Sequence, residues 1–182
     1  MSNEEEFELI KEFLRGKEKA FNKLVQIHQK NIYWLARRMV GNHFDADEIT
    51  QQVIIIMYQK LKKFKFNSSL STWLYKITRT RSLNLIKRNK VKNFFSLNDS
   101  SVKQKATEDN IFVDLENKEK IERVQKLLNN LPVKQREVFL FRNFEELNYE
   151  EISKITGKSI GALKANYFHA SKKILEMMKN EN

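Results

Sequence analysis

The chain contains a single proline, Pro132, and four glycines among its 182 residues. Tight turns use these two residue types most, and a sheet needs many such turns, so their scarcity favours an all-α fold. Hydrophobic residues make up 41% of the sequence, which is enough to form packed cores. The sequence has no run of 18 apolar residues, and we therefore expect no membrane-spanning helix.

Apolar residues recur at helical spacing in two blocks, which are separated by a stretch without such a pattern. The first block covers residues 1–92, the intervening stretch 93–114 and the second block 115–182. The intervening stretch is rich in Ser, Asn, Asp and Lys and is too long for an ordinary connection inside one domain. We expect two small helical domains joined by a flexible linker.

Capping residues and glycines predict where helices of the first block begin and end. Gly41 ends the second helix, since glycine is common immediately after a helix C-terminus. Asp45, with Glu48 three residues on, has the pattern of a capping box that opens a third helix. Ser71 is expected to be the N-cap of a fourth helix, which runs to about Lys90.

In the second block, Asn148 and Glu151 form another capping-box pattern, which opens a short helix over 149–156. Gly157 follows, and Ser159 is expected to cap a long final helix. Two helices joined by a glycine-centred turn have the outline of a helix-turn-helix. An ordinary helical hairpin has the same outline, so this pattern alone leaves both interpretations open.

The positive charge is confined to one segment. Eleven Lys or Arg and no Asp or Glu lie between residues 49 and 97, while the other 23 basic residues balance the 23 acidic ones. The net charge of +11 therefore belongs to this segment, which favours a polyanionic partner. Aromatic residues are interleaved with the cations, namely Tyr58, Phe64, Phe66, Trp73 and Tyr75. This mixture suits single-stranded or opening DNA, because unpaired bases stack on flat side chains; a core position is the alternative for Phe64 and Tyr75.

The final helix carries an apolar stripe on one side and a different surface on the other. That opposite surface presents Ala162, Lys164, Ala165, Asn166, Phe168 and His169. Small side chains let a helix lie deep in a major groove, Lys164 can contact phosphate, and Asn166 can pair with a base edge, adenine best. A solvated helix face is the alternative.

These residues resemble a known family. The stretches 45–53, 64–66 and 70–79 resemble conserved region 2 of bacterial sigma factors of the extracytoplasmic-function (ECF) type, and 131–139 and 148–164 resemble their region 4. The two matches lie in the expected order with a linker between them and no region 3. The resemblance implies a region 2-like domain over 1–92 and a region 4-like helix-turn-helix domain over 115–182. It implies a factor that binds core RNA polymerase, directs it to promoters and assists DNA opening at the −10 element.

The resemblance also implies roles for individual residues. Contacts with the clamp helices of the polymerase largest subunit are implied for Asp47, Glu48, Gln51, Gln52 and Ile55. Contacts with the −10 element are implied for Lys63, Phe64, Lys65, Asn67, Ser68, Ser69, Ser71, Trp73, Lys76, Arg79, Thr80 and Lys87. Contacts with the −35 element are implied for Ser159, Gly161, Ala162, Lys164, Ala165, Asn166, Phe168 and His169.

Two positions depart from the family pattern. Thr80 stands where the family often has Asn, and Asn166 where it often has a basic residue. Both changes weaken base readout by this chain alone, and they leave open recruitment by another DNA-bound factor. A metal site at Asp45, Asp47 and Glu48 is disfavoured, because capping accounts for two of the three residues and no histidine is placed to help.

The implied partners are core RNA polymerase, through the clamp helices and the flap of the second-largest subunit, and promoter DNA, both duplex and single-stranded. An anti-sigma factor is a further expectation. We expect no cofactor, no membrane association and no enzymatic activity, since polymerase performs the chemistry. The acidic N-terminus argues against a signal peptide, and the absence of cysteine fits a cytoplasmic protein.

Three other functions compete with this one. A conventional helix-turn-helix regulator would bind duplex DNA without polymerase and would explain the aromatic and basic segment poorly. A nuclease would need a carboxylate cluster beside the basic segment, which the sequence does not offer. A polymerase-bound inhibitor of initiation would share the polymerase contacts but should lack a DNA-reading helix.

Overall fold

A computed structural model describes residues 3–96 and 115–180 of the chain. These residues form helices and connecting turns, with no strand among them, which confirms the all-α prediction. The helices are α1 (Asn3–Leu14), α2 (Glu18–Val40), α3 (His43–Lys60), α4 (Leu70–Ser96), α5 (Leu115–Asn129), α6 (Val133–Asn143), α7 (Tyr149–Thr156) and α8 (Ile160–Asn180). A short 3₁₀ helix, Leu61–Lys63, follows α3.

The helices divide into two compact units. The first unit contains α1, α2, α3 from Phe44 onward, and α4, and the second contains α5–α8 together with Gly41–His43. Residues 93–96, which we placed in the linker, belong to the last turn of α4. The rest of the predicted linker, 97–114, lies outside the described residues. Two small helical domains are thus confirmed, while the bounds 1–92 and 115–182 stay a prediction.

The first unit has a core built from all four of its helices. Apolar side chains that are fully or almost fully buried include Ile10, Leu24, Ile32, Ala46, Ile49, Val53, Met57, Leu61, Leu70 and Leu74. One polar pair is buried with them, since Glu6 Oε1 of α1 lies 2.9 Å from His28 Nε2 of α2. Apolar contacts in this core attach α1 to α2.

The second unit buries Leu128, Leu131, Val138, Leu140, Phe141, Ile152, Ile155, Leu163 and Ala170. Arg136 of α6 is buried too, and its Nη2 donates to the carbonyl oxygens of Asn129 (3.2 Å) and Leu131 (3.3 Å) at the end of α5. Burial lowers the pKa of the Arg136 guanidinium. The apolar pattern in α5 is imperfect, because Val124 is exposed and Gln125 is buried in its place.

Two predicted helix starts in the first unit are wrong. α3 begins at His43, so Asp45 lies inside the first turn and cannot form a capping box with Glu48. α4 begins at Leu70, and its N-cap is Ser69, whose Oγ accepts a hydrogen bond from the Thr72 amide at 3.1 Å. Ser71 therefore lies within the helix, which also extends past Lys90 to Ser96.

The helix ends of the second unit agree with the sequence signals. Asn148 and Glu151 form the predicted capping box, in which each side chain accepts a hydrogen bond from the other residue's amide at 2.9 Å. Gly157 follows α7 in the left-handed conformation, with φ of 71°. The Oγ of Ser159 accepts a hydrogen bond from the Ala162 amide at 3.3 Å, which confirms its capping role.

Candidate nucleic-acid interface

An aromatic cluster lies at the loop between the 3₁₀ helix and α4. We define the aromatic cluster as Phe7, Phe64, Phe66 and Trp73. Residues 64–69 connect the 3₁₀ helix to α4, and we call them the base loop after the capture of an unpaired base that the resemblance implies for residues 65–71. The centroid of the Phe64 ring lies 5.1 Å from that of Phe66, 5.7 Å from that of Trp73 and 6.4 Å from that of Phe7. Phe64 is only 8% exposed and Tyr75 is 7% exposed, so the core alternative is confirmed for both. A base could stack on Phe64 only after the neighbouring rings had moved.

Phe66 has an unusual backbone conformation. Its φ is 55°, in the left-handed region that glycine and asparagine favour. An L-residue with a large side chain adopts that region at a cost of about 1–2 kcal/mol. Phe66 remains 38% exposed, and its ring packs edge-on against Phe7 at 5.0 Å. The sequence shows Phe66 as an interleaved aromatic and Phe7 only as an apolar position of the first helix, and neither this conformation nor the contact between the two rings was predicted.

The predicted −10 residues lie in the base loop, immediately before it and along α4. Lys63, Lys65 and Asn67 are exposed, while Ser68, Ser69 and Ser71 are half-buried. Along α4, Trp73, Lys76, Thr80 and Lys87 follow one another at intervals of three, four and seven residues, so they lie near one face of a continuous helix. Lys76, Thr80 and Lys87 are exposed, and Arg79 is half-buried beside them. The Thr80 hydroxyl donates to the Lys76 carbonyl at 2.8 Å, which orients its oxygen along the helix.

The predicted polymerase-binding residues lie on the outer side of α3. Glu48, Gln51 and Ile55 are exposed, Asp47 and Gln52 are half-buried, and Gln52 Nε2 donates to Glu48 Oε1 at 2.9 Å. Ile55 is 54% exposed and Phe44, one turn before Glu48, is 61% exposed. Phe44 was missed, although its position four residues before Glu48 could have indicated it.

The structure adds residues of α4 to this surface. Glu48 and Gln52 of α3 line a small open cavity of about 170 Å³, and the α4 residues Arg81, Asn84 and Arg88 line the opposite side. Sequence spacing could not reveal that these residues of two helices lie together. Within residues 3–96 and 115–180, no group of His, Cys, Asp or Glu side chains is arranged to hold a metal ion.

In the second unit, α7, the turn and α8 form the predicted helix-turn-helix, and the turn is held by several contacts. The Gly157 amide donates to the Ser153 carbonyl (2.8 Å), and the Ser153 hydroxyl donates to the Lys158 carbonyl (2.7 Å). Lys158 Nζ lies 2.8 Å from Glu137 Oε1, and Glu137 is 1% exposed. These contacts fix the direction in which α8 leaves the turn.

The predicted −35 residues lie on the outer face of α8 and at its start. Ser159, Gly161, Ala162, Lys164, Ala165, Phe168 and His169 are exposed, and Asn166 is half-buried. Asn166 Nδ2 donates to the Ala162 carbonyl at 2.7 Å, so its amide has an interaction within the helix that DNA would have to replace or share. Lys164 Nζ lies over the Tyr149 ring at 5.8 Å. Asn166 and Lys164 of this face thus each interact with a residue of the second unit.

The sequence matches two family models, Sigma-70 region 2 over residues 24–91 and Sigma-70, region 4 over residues 121–174. Together the matches cover more than half of the chain. The first includes α3, the base loop and most of α4, and the second includes the helix-turn-helix. The chain belongs to the sigma-70 family of RNA polymerase sigma factors.

Similar proteins assign the chain to the ECF group of that family. The ECF RNA polymerase sigma factor SigW of Bacillus subtilis is 28% identical over 162 residues, which cover 85% of this chain and 87% of that protein. The RNA polymerase sigma-H factor of Pseudomonas aeruginosa is 29% identical over an alignment of 185 positions, which covers 96% of this chain and 94% of that protein. The expectation of an ECF sigma factor, acting in transcription initiation with polymerase and promoter DNA, is thereby confirmed.

Solved structures share the fold. The sigma factor RpoE of Bartonella quintana, in a co-crystal structure with the anti-sigma factor NepR, is 21% identical with a TM-score of 0.72, and the likeness covers 90% of this chain and 99% of that one. CnrH, solved with the cytosolic domain of CnrY, is 18% identical with a TM-score of 0.72, covering 96% of this chain and 97% of that one. In the part of this chain that the structure describes, no helix is long and apolar enough to cross a membrane.

Proposed function

We propose that this ECF sigma factor opens promoter DNA by holding unpaired bases of the −10 element at the base loop and α4. The observation that carries the proposal is the combination of exposed cations and aromatic rings at one place. Lys63 and Lys65 are exposed next to the partly exposed Phe66 in the chain, Lys76 is exposed one turn along α4 from the partly exposed Trp73, and Lys87 is exposed further along the same helix. Stacking contributes about 1–3 kcal/mol for each base, enough to offset much of the cost of unpairing.

Core polymerase binding is assigned to the outer side of α3. An exposed isoleucine and an exposed phenylalanine flank the polar group Asp47, Glu48, Gln51 and Gln52. Partly apolar surfaces with a polar rim are typical of protein interfaces. The proposed partner of this surface is the pair of clamp helices of the largest subunit, and the flap of the second-largest subunit is the proposed partner of the second unit.

Recognition of the −35 element is assigned to residues 159–169. The exposed small residues Gly161, Ala162 and Ala165 allow a close approach to a major groove, and Lys164 supplies the one cation of this face. Thr80 and Asn166 each donate a hydrogen bond to their own helix. We therefore propose that base readout by this chain is weak and that a second DNA-bound factor assists promoter choice.

We also propose a further partner and a cellular location for the chain. RpoE of Bartonella quintana has been solved with an anti-sigma factor, and we propose that this chain is also held inactive by an anti-sigma factor. Polymerase supplies the chemistry of RNA synthesis, so the chain needs neither catalytic residues nor a cofactor of its own. Because it works with polymerase, its proposed location is the cytoplasm.

Transcription with purified components tests the proposal. The full chain is added to core polymerase and a library of random promoter sequences, and the transcripts are sequenced. We expect initiation from a defined set of promoters with permanganate-reactive thymines in their −10 elements. Binding to polymerase without initiation would favour an inhibitor of initiation, and duplex binding without polymerase would favour a conventional regulator. Selection of the same promoters without any added factor would remove the recruitment proposal.

A further inference from the structure

The first helix contacts the base loop although it lies outside the region 2 match. That match begins at residue 24, whereas α1 covers Asn3–Leu14. Phe7 of α1 nevertheless packs edge-on against Phe66, with ring centroids 5.0 Å apart and planes at 90°. α1 is itself packed against α2, since Ile10 of α1 and Leu24 of α2 are buried in the same core cluster. The loop thus rests against a fixed part of the first unit.

Phe66 needs such a support. Its φ of 55° is unfavourable for a residue with a Cβ atom and a large ring. Strained conformations of this kind persist only where surrounding contacts over-determine them, and they concentrate at functional sites. The contacts that do so here are the rings of Phe7 and Phe64, at 5.0 and 5.1 Å. Loss of Phe7 would remove one of these two rings, and it would favour relaxation of Phe66 toward a negative φ and a change in direction of the base loop.

The position of Phe66 makes this change matter for DNA. Lys65 and Asn67, the immediate neighbours of Phe66, are two exposed residues of the base loop. Any rotation about the Phe66 backbone redirects one of them relative to the other. A loop that is already in its binding conformation does not have to be ordered when the base arrives.

We propose that Phe7 is a positioning residue, which holds Phe66 in the left-handed conformation and so preorganises the base loop for an unpaired base. The inference rests on the proposed −10 function of that loop. According to this inference, α1 contributes to DNA opening through the contact between the Phe7 and Phe66 rings, and α1 does not itself contact DNA.

A double-mutant cycle tests this coupling. Glycine adopts a φ of +55° without strain, so a loop with Phe66→Gly no longer needs Phe7 to hold that conformation. The four proteins are the wild type, Phe7→Ala, Phe66→Gly and the double variant. Each is assembled with core polymerase, and its affinity is measured for a single-stranded oligonucleotide that carries the −10 element of a promoter selected by the wild type.

We expect Phe7→Ala to weaken oligonucleotide binding by about five- to thirtyfold, the range that corresponds to the cost of the left-handed conformation. In the Phe66→Gly background, the same Phe7→Ala change should alter binding by less than about twofold. Equal effects of Phe7→Ala in the two backgrounds would overturn the inference, because Phe7 would then not act through Phe66. An unchanged affinity for Phe7→Ala in the wild-type background would overturn it as well.

Two controls separate positioning from general destabilisation. Phe13→Ala removes another ring of α1, which packs on Phe21 at 5.1 Å and Tyr58 at 5.4 Å, away from the base loop; it should leave oligonucleotide binding within about twofold of wild type. Phe7→Leu keeps apolar volume if Phe7→Ala does not fold, and it should show the same background dependence. All variants should bind core polymerase as the wild type does. A wild type that cannot bind the oligonucleotide rejects the −10 function itself, and with it the inference.

Discussion

Gly161 lies in the first turn of α8, on the face assigned to the −35 element. A Cβ atom built on it meets no atom within 4 Å, so packing inside the unit does not require glycine there. Glycine in a helix costs roughly 0.5–1 kcal/mol relative to alanine. We expect Gly161→Ala to raise the free energy of unfolding by up to about that amount, and to weaken promoter binding by about threefold or more, because the methyl group separates the helix backbone from DNA.

Urea denaturation and footprinting of the holoenzyme on a −35 duplex measure the two effects. Lys172→Ala, an exposed change in α8 outside residues 159–169, serves as the control and should leave promoter affinity unchanged. A Gly161→Ala protein that is more stable and binds the duplex normally would show that α8 does not approach DNA at this position.

Lys158 and Glu137 are an unequal pair, because Lys158 retains 23% side-chain exposure and Glu137 only 1%. Removing the lysine takes a cation from a buried carboxylate, whereas removing the carboxylate's charge leaves a lysine that reaches water. We expect Lys158→Met to destabilise the second unit by about 3 kcal/mol, and Glu137→Gln by only about 1 kcal/mol.

The two tryptophans allow this effect to be located. Trp34 and Trp73 both lie in the first unit, so tryptophan fluorescence follows that unit and far-UV circular dichroism follows both. In urea denaturation, Lys158→Met should lower the midpoint of the transition that circular dichroism reports for the second unit. It should leave the midpoint of the fluorescence transition, which reports the first unit, unchanged. An equal loss of stability in Lys158→Met and Glu137→Gln would contradict the argument from burial.

At the scale of helices, local signals predicted the ends in the second unit better than those in the first. Asn148 and Gly157 each have a strong conformational preference, and both occupy the positions that this preference predicts. In the first unit, several residues offered similar signals within a few positions. Ser68, Ser69 and Ser71 are equally good N-caps by type, and only the packing of Leu70 and Leu74 into the core selects Ser69.

The candidate site was predicted from composition and from resemblance, but its internal geometry was not. The basic and aromatic residues between 49 and 97 could be recognised because charge and ring content are visible along the sequence. The contact of Phe7 with Phe66 joins residues far apart in the chain. It depends on a left-handed φ at a phenylalanine, whereas the sequence signal for this conformation is a glycine or an asparagine. Such a conformation arises from tertiary contacts, which local propensity does not contain.

The start of α4 gives a direct test of the corrected cap. Ser69→Ala removes the acceptor of the Thr72 amide and should destabilise the first unit by about 1 kcal/mol. Ser71→Ala changes a residue inside the helix and should alter stability by less than about 0.5 kcal/mol. Tryptophan fluorescence during urea denaturation measures both, since Trp73 is part of α4. A larger loss of stability for Ser71→Ala than for Ser69→Ala would mean that Ser71 is the N-cap.

At the scale of the whole molecule, the excess positive charge belongs to the segment that contains the base loop and α4. Cations that contact phosphates release bound counterions, and each contact to a single strand adds about 0.7 to the slope of log affinity against log salt concentration. Replacing the exposed pair Lys76 and Lys87 with glutamine should therefore lower the slope for single-stranded DNA by about 1.4, measured by fluorescence anisotropy with the holoenzyme.

A matched pair distinguishes placement from net charge. Lys19 and Lys30 of α2 are also exposed and lie outside residues 49–97. Lys19→Gln with Lys30→Gln removes the same two charges, and we expect it to leave the slope unchanged, because counterions are released only where cations meet phosphates. Equal reductions by the two pairs would mean that the overall charge of the protein attracts DNA. A reduction confined to Lys76 and Lys87 would mean that the strand follows α4, since these two residues lie near the same face of that helix as Trp73.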